Sequence, residues 1–250
     1  MQRTLSDYGF GGKLGRLKVS RYNSSLPFGE VGVQSPLTVI GGEKIRIHEV
    51  ALWLVSYYKE PPAVILDPTC GKDNRMFSPW IKSGVLAEMG YTYISGDIKG
   101  YGDVALDVFK LPVRDSSIDV VVYDPPYTPD ARIDERGESY GITEERCIDE
   151  IARFFSEDVF MEFDRVLKRR GVVIVKGMDF YYPRNSDNLH LFLGLTRFHK
   201  YFRAIALYIY RYFYGNIPLH RYRMRHWRRP VMCHTYFLVL RKRNEPIEVF

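Results

Sequence analysis

Four stretches in the first half of the chain each run to an aspartate: "AVILD" ends at Asp67, "YTYISGD" at Asp97, "VALD" at Asp107 and "IDVVVYD" at Asp124. "AVILD" is apolar at every position before its acid, the pattern of a strand buried on both faces rather than on one. Strands of that kind belong to parallel sheets, and their carboxyl ends lie along a single edge where ligands bind. The expectation is therefore a sheet with four acids ranged along one edge.

Helical periodicity alternates with those strands. "EKIRIHEVALWLVSYY", from Glu43 to Tyr58, places Ile47, Ala51, Leu54, Val55 and Tyr58 on one side of a helix that Pro61 and Pro62 stop. Residues 143–169 read as a second long helix, with Ile148, Ile151, Phe155, Val159, Phe163 and Val166 at spacings of three or four. Arg169, Arg170 and Gly171 read as its basic last turn and stop. "VVIVKG" is a fifth strand, Asn188 to Lys200 a further helical stretch, "RAIALYIY" a sixth strand and "HTYFLVLRK" a seventh. Strand and helix alternate up to Lys176, and the last two strands have no long helix between them. This order predicts a doubly wound α/β sheet, mostly parallel, closed by a C-terminal antiparallel hairpin.

A chain of 250 residues, 46% of them hydrophobic, suits one sizeable core. Residues 1–42, rich in Gly, Ser and Pro, are expected to form an irregular arm, with 43–250 as a single domain. Cys70, Cys147 and Cys233 have no C-x-x-C spacing and the histidines no H-x-x-x-H pairing, so neither a disulfide framework nor a metal site is expected. Neither a signal sequence nor an uncharged apolar stretch of about 18 residues stands out, and the expected location is cytoplasmic.

The charge is polarised along the chain. From His190 to Arg243 there are ten arginines, Lys200 and Lys242 and no acid, so this stretch carries +12 in a chain whose net charge is +6. Such a segment suits a polyanion, because Lys and Arg displace the counterions condensed on phosphates. Aromatic residues, among them Tyr201, Phe202, Tyr212, Phe213, Tyr214, Tyr222 and Trp227, are interleaved with the charges. Rings stack on bases while arginines hold the backbone, so about residues 197–230 form the expected nucleic-acid-binding segment. Its densest part, "HRYRMRHWRRP", contains Arg221, Arg223, Arg225, Arg228 and Arg229.

At the other end of the chain, "VILDPTCGKDN" turns sharply after its strand. Asp67 closes the strand, Pro68 fixes the turn and Gly71 lets the backbone approach a ligand closely. Asp97 is placed to accept hydrogen bonds from ribose hydroxyls, and Asp107 to receive the exocyclic amine of an adenine. A ligand with both groups fits this edge.

"LDPTCG", then "GD", then "LDVFKLPVRDSSIDVVVYDPPY" resembles the S-adenosylmethionine-binding core of class I amino-methyltransferases, the N4-cytosine and N6-adenine DNA modification enzymes in particular. "RVLKRRGVVIVKGMD", "RYRMRHW" and "HTYFLVLRK" extend the resemblance to the compact phage and microbial type, over roughly Ile47 to Lys242. It implies a Rossmann-like, seven-stranded methyltransferase sheet and S-adenosylmethionine as cofactor. The implied cofactor residues are Asp67, Pro68, Thr69, Cys70 and Gly71 on the glycine turn, Asp97 and Ile98 after the second strand, and Asp107 and Val108 after the third. Where many members have a second glycine two positions after the first, this chain has Lys72 and Asp73 following Gly71.

The implied catalytic set is Asp124, Pro125, Pro126 and Tyr127. An exocyclic amine on adenine or cytosine is a poor nucleophile because its lone pair is delocalised into the ring. If Asp124 accepts one N–H and the Pro125 carbonyl the other, the nitrogen is drawn toward a tetrahedral shape and its lone pair is released for attack. The prolines stiffen the turn, and the ring of Tyr127 can stack on a base that has left the helix. Thr128 to Gly141 read as a polar loop, either one that closes over such a base or a mobile surface loop with no catalytic part. Lys176, at the end of the fifth strand, faces the same edge of the sheet; it reads as a solvated strand-end lysine, with contact to substrate as the alternative. The same chemistry suits RNA, at adenine N6 or guanine N2, and a non-catalytic nucleic-acid-binding protein that retains the cofactor fold is a third reading.

Overall fold

The computed structural model describes residues 20–21, 37–41, 47–72, 76–126, 148–181, 189–190, 196–211 and 231–246. Among the described residues ten strands form one sheet: β1 Ser20–Arg21, β2 Leu37–Gly41, β3 Ala63–Asp67, β4 Tyr91–Asp97, β5 Val104–Ala105, β6 Ile118–Tyr123, β7 Leu167–Tyr181, β8 Leu189–His190, β9 Phe202–Arg211 and β10 Val231–Lys242. The helices are α1 Ile47–Tyr58, α2 Ser78–Lys82, α3 Val85–Glu88, α4 Ile148–Arg153 and α5 Glu157–Val166.

Seven strands, in the order β5-β4-β3-β6-β7-β10-β9, make a Rossmann-like mixed sheet. β5, β4, β3, β6 and β7 are parallel, and β10 runs antiparallel to both of its neighbours, β7 and β9. The expected fold class is found, including the closing hairpin of β9 and β10. From β3 the chain proceeds outward to β4 and β5, then returns to lay β6 on the other side of β3. The gap between β3 and β6 is thus the topological switch point, the usual place for a ligand in such sheets.

Alternation within each strand sends side chains to two cores, because both faces of the sheet are covered. Ile65, Val120, Val122, Val172, Ile174, Phe237 and Val239 pack with α1, where Val50, Ala51, Leu54 and Val55 are buried. Leu66, Val121, Tyr123, Val173, Val175, Leu238 and Leu240 pack with Phe155 and with α5 on the opposite face. In α5, Val159, Phe160, Phe163 and Val166 form one buried stripe, while Glu157 and Asp158 in its first turn and Arg165 in its last complement the helix dipole.

Three expectations are corrected. Residues 148–166 form two helices, separated at Phe154–Ser156 and followed at once by β7 rather than by a helical basic turn. Leu167 is already extended and pairs with Ile118; Val172 pairs with Val120, so residues 168–171 bulge outward opposite Asp119, with Arg170 at φ +61°. The ion pair between Lys168 and Asp119, at 2.7 Å, holds that bulge. In the stretch expected to be helical over 188–200, Leu189–His190 instead pairs with Phe180 and Tyr181, and Thr196–Phe198 is irregular. Within the arm expected to be irregular, "LTVIG" supplies β2, which lies parallel to β9 and extends the sheet. Among the described residues no helix is long and apolar enough to cross a membrane.

Candidate active site

Parallel pairing brings the carboxyl ends of β3, β4 and β6 to one edge, and with them the turns that follow. The first of these turns is organised from beneath by Asp67. Its carboxylate is 2% exposed, accepts the Thr69 backbone N–H at 3.2 Å through Oδ1 and the Tyr93 hydroxyl at 2.9 Å through Oδ2. Burial pushes this carboxyl up to about 7, against the two hydrogen bonds, and the negative charges of Asp124 and Asp97 add to the rise. Asp67 therefore shapes the turn from inside it. The open acceptors at this edge are other acids.

Gly71 stands at φ +62°, the left-handed region where a Cβ is strained, and a Cβ there would meet nothing within 4 Å. The next residue, Lys72, is exposed, and Asp73 lies outside the described residues. Pro68 and Cys70 are buried. The Cys70 backbone N–H donates to the Gly96 carbonyl at 3.0 Å and its thiol to the Tyr101 carbonyl at 3.4 Å, which ties the glycine turn to the loop after β4. Burial, reinforced by Asp67, Asp97 and Asp103, pushes this thiol up to about 12, so it stays protonated.

The loop after β4 is closed by a second set of contacts. Asp97 Oδ1 accepts the Lys99 backbone N–H at 2.8 Å, and the next side chain, Ile98, is 73% exposed at the same edge. Asp103 accepts both the backbone N–H and the hydroxyl of Ser95, at 2.9 and 2.8 Å. Between them Gly102, at φ +87°, passes so close to Ser95 and Cys70 that a Cβ would lie 2.7 and 2.9 Å from their Oγ and Sγ. The sequence reading missed Ser95, Gly102 and Asp103; the trace of the last two is "GYGD", which begins three positions after the strand-ending Asp97.

Asp107 follows β5 and is exposed; its Oδ1 accepts the Phe109 backbone N–H at 3.0 Å, and Val108 between them is buried. The segment leading from there to β6 is fastened by α5. Glu162 accepts the Leu111 N–H at 2.9 Å, while Arg165 donates to the carbonyls of Leu111 and Val113 at 2.8 Å each. The Arg165 hydrogen bond holds the Glu162 carboxyl below its ordinary range.

Asp124 stands one residue beyond β6, beside the switch point. Its backbone N–H donates to Thr69 Oγ1 at 2.9 Å, so the proline turn and the glycine turn are directly bonded. Lys176 donates to both of its carboxylate oxygens, at 2.8 and 2.6 Å. Tyr123 pairs with Val175, so Asp124, just past the end of β6, and Lys176, within β7, stand at the same height. The Lys176 side chain is 11% exposed and that of Asp124 28%. The expectation of a solvated lysine is thus corrected: parallel register sets the ammonium against an acid across the strand gap. Pro125 is buried and Pro126 half-buried.

The structure brings Asp67, Thr69, Cys70 and Asp124 into one bonded assembly, with Asp97 and Asp107 along the same edge. Tyr127, Arg221, Arg223, Arg225, Arg228 and Arg229 lie outside the described residues. Among the described residues no group of three or more His, Cys, Asp or Glu is arranged to hold a metal ion.

No family model matches the chain and no curated protein matches it. Among solved structures it is similar to a 1,6-didemethyltoxoflavin-N1-methyltransferase of Burkholderia thailandensis, with a TM-score of 0.47 and 12% identity over 79% of each chain. A putative sarcosine dimethylglycine methyltransferase of Galdieria sulphuraria gives a TM-score of 0.44 and 14% identity over 78% of this chain and 86% of the other. For a SAM-dependent methyltransferase of Methanosarcina mazei the values are 0.43 and 14%, over 78% and 98%.

Proposed function

We propose that this chain is an S-adenosylmethionine-dependent methyltransferase acting on an exocyclic amine of a nucleobase, N6 of adenine or N4 of cytosine, in DNA. The observation that carries the reading is the double anchoring of Asp124, by Thr69 on the glycine turn and by Lys176 on β7, at the switch point of the sheet. The D-P-P-Y pattern and the basic aromatic segment support the choice of substrate.

The residues at this edge fit the cofactor. Space stands open beside Gly71, Asp97 and Asp107 supply acceptors for ribose hydroxyls and an adenine amine, and Ile98 offers exposed apolar surface for the base. When bound, S-adenosylmethionine supplies an electrophilic methyl group on a sulfonium. The chain's own part is to bind and activate the amine. Asp124 accepts one of its N–H groups and the Pro125 carbonyl the other, which draws the nitrogen toward a tetrahedral shape and supports the positive charge that grows there. The proton that nitrogen then sheds leaves through Asp124 or directly to water. Tyr127 stacks on the extruded base.

Topology supports the role of the basic segment. β9 runs parallel to β6 and β7 and ends at Arg211, while the reversed β10 begins at Val231. Both ends of the connection therefore meet the edge that holds Asp124, and the arginines between them serve as phosphate contacts.

The test is mass spectrometry of nucleosides from duplex DNA and from total RNA after incubation with the protein and methyl-labelled cofactor. Label in N6-methyladenosine or N4-methylcytidine of the deoxy series is expected. Label confined to RNA would move the substrate to the other polymer, and no label in either would overturn the reading.

A further inference from the structure

The contact between Lys176 and Asp124 constrains which amines the site accepts; this inference rests on the methyl-transfer reading above. Lys176 Nζ lies within hydrogen-bonding distance of both Asp124 oxygens, at 2.8 and 2.6 Å, and the lysine side chain is 11% exposed. Each oxygen thus already has a donor. A carboxylate oxygen accepts more than one hydrogen bond, so an amine that engages Asp124 comes to stand beside Nζ, and a mostly buried ammonium drawn off one oxygen is penalised unless it gains an acceptor. A substrate that brings an acceptor to Nζ is therefore favoured.

Adenine and cytosine can do so, because the carbon that bears their amine also bonds an unprotonated ring nitrogen. That nitrogen's lone pair points alongside the amine N–H in the plane of the ring. We infer that Lys176 is a substrate-binding residue that selects this amidine edge: the amine donates to Asp124 while the ring nitrogen accepts from Nζ. Nζ gains the ring nitrogen where it gives up a carboxylate oxygen, which offsets the loss. On its Watson–Crick edge guanine places N1–H beside the amine, which sets a donor against a donor; it can offer an acceptor beside the amine only through N3, on the other side of the ring. An aliphatic ammonium offers no acceptor and meets Nζ with like charge. The same pair of residues thereby disfavours the Watson–Crick edge of guanine and an aliphatic ammonium.

The experiment replaces a single substrate atom. An oligonucleotide with 1-deazaadenine at the methylated position, or 3-deazacytosine if cytosine is the target, keeps the amine and substitutes CH for the ring nitrogen. Wild-type kcat/KM is expected to fall by about 10- to 100-fold, the range for a hydrogen bond to a charged group. In Lys176→Met the two substrates should differ by no more than about 3-fold, and Lys176→Arg should restore discrimination in part; Lys176→Gln serves if the methionine variant does not fold. Equal turnover of both substrates by the wild type, or undiminished discrimination in Lys176→Met, would overturn the assignment while leaving methyl transfer in place. A wild type that methylates no amine-bearing base overturns the functional reading and this inference together.

Discussion

The Thr69 hydroxyl accepts the backbone N–H of Asp124 at 2.9 Å, so the two turns that flank the switch point are joined by one hydrogen bond. Thr69→Val keeps the shape and removes the acceptor, leaving a partly buried N–H without its partner. The expected cost is about 1–3 kcal/mol, divided between folding and alignment of Asp124. Methyl transfer should slow by about 10-fold or more in Thr69→Val and recover in Thr69→Ser, measured at saturating cofactor. Equal rates in all three proteins would show that the bond is catalytically idle.

Asp124→Ala should abolish methyl transfer while S-adenosylhomocysteine binding, read by calorimetry, stays within a few-fold of wild type. The same change leaves Lys176 mostly buried with its carboxylate partner gone. A destabilisation of about 1–3 kcal/mol is expected, below the figure for a fully buried pair because Asp124 is partly exposed. Asp124→Ala combined with Lys176→Met should regain part of that loss in thermal melts. Additive effects of the two changes would argue against coupling.

Asp67 sets a pH dependence whose sign is opposite to the usual one for an acid. Burial raises its carboxyl to about 7, above the unfolded value, so the folded protein holds a proton there that the unfolded chain releases near pH 4. Its contribution to stability is full at low pH and is lost as pH rises toward 7. Asp67→Asn cannot ionise. The stability of wild type relative to Asp67→Asn should therefore fall between pH 5 and pH 8 by an amount on the order of 1–3 kcal/mol, followed by denaturant titration at each pH. A constant difference would show that Asp67 is ionised throughout.

Replacing Arg223, Arg225 and Arg228 together by Ala should flatten the salt dependence of DNA binding. Each lost phosphate contact removes about 0.9 from the slope of log K against log salt, so a change of about 2–3 is expected. Fluorescence anisotropy at several salt concentrations measures it. An unaltered slope would assign those arginines another task.

Strands that are buried on both faces could be read directly. β3 and β6 lie where "AVILD" and "IDVVVY" place them, because a run of Val, Ile and Leu leaves few alternatives, and β4 lies where "YTYISGD" leads up to its acid. The acids at their ends were legible for the same reason. What failed depended on partners distant in the chain. The start of β7 at Leu167 is set by pairing with Ile118, and the Lys168 ion pair with Asp119 reaches across 49 residues, so local periodicity carried the helix too far. β8 replaces an expected helix because it pairs with the end of β7. Lys176 looked solvated because nothing near it in sequence announces Asp124, 52 residues earlier. In each case the determinant was a neighbour that only the folded sheet supplies.

Asp119 lies at the opposite end of β6 from Asp124, where its carboxylate accepts the Val64 N–H at 3.0 Å and faces Lys168 at 2.7 Å and Lys59 at 3.5 Å. These charges hold its carboxyl below the ordinary range despite burial. β3, β6 and β7 are thus bolted together at the end remote from the chemistry, like a keel beneath a deck. Turns at the other end can be lengthened or exchanged without loosening that fastening, which makes the scaffold a ready host for grafted loops.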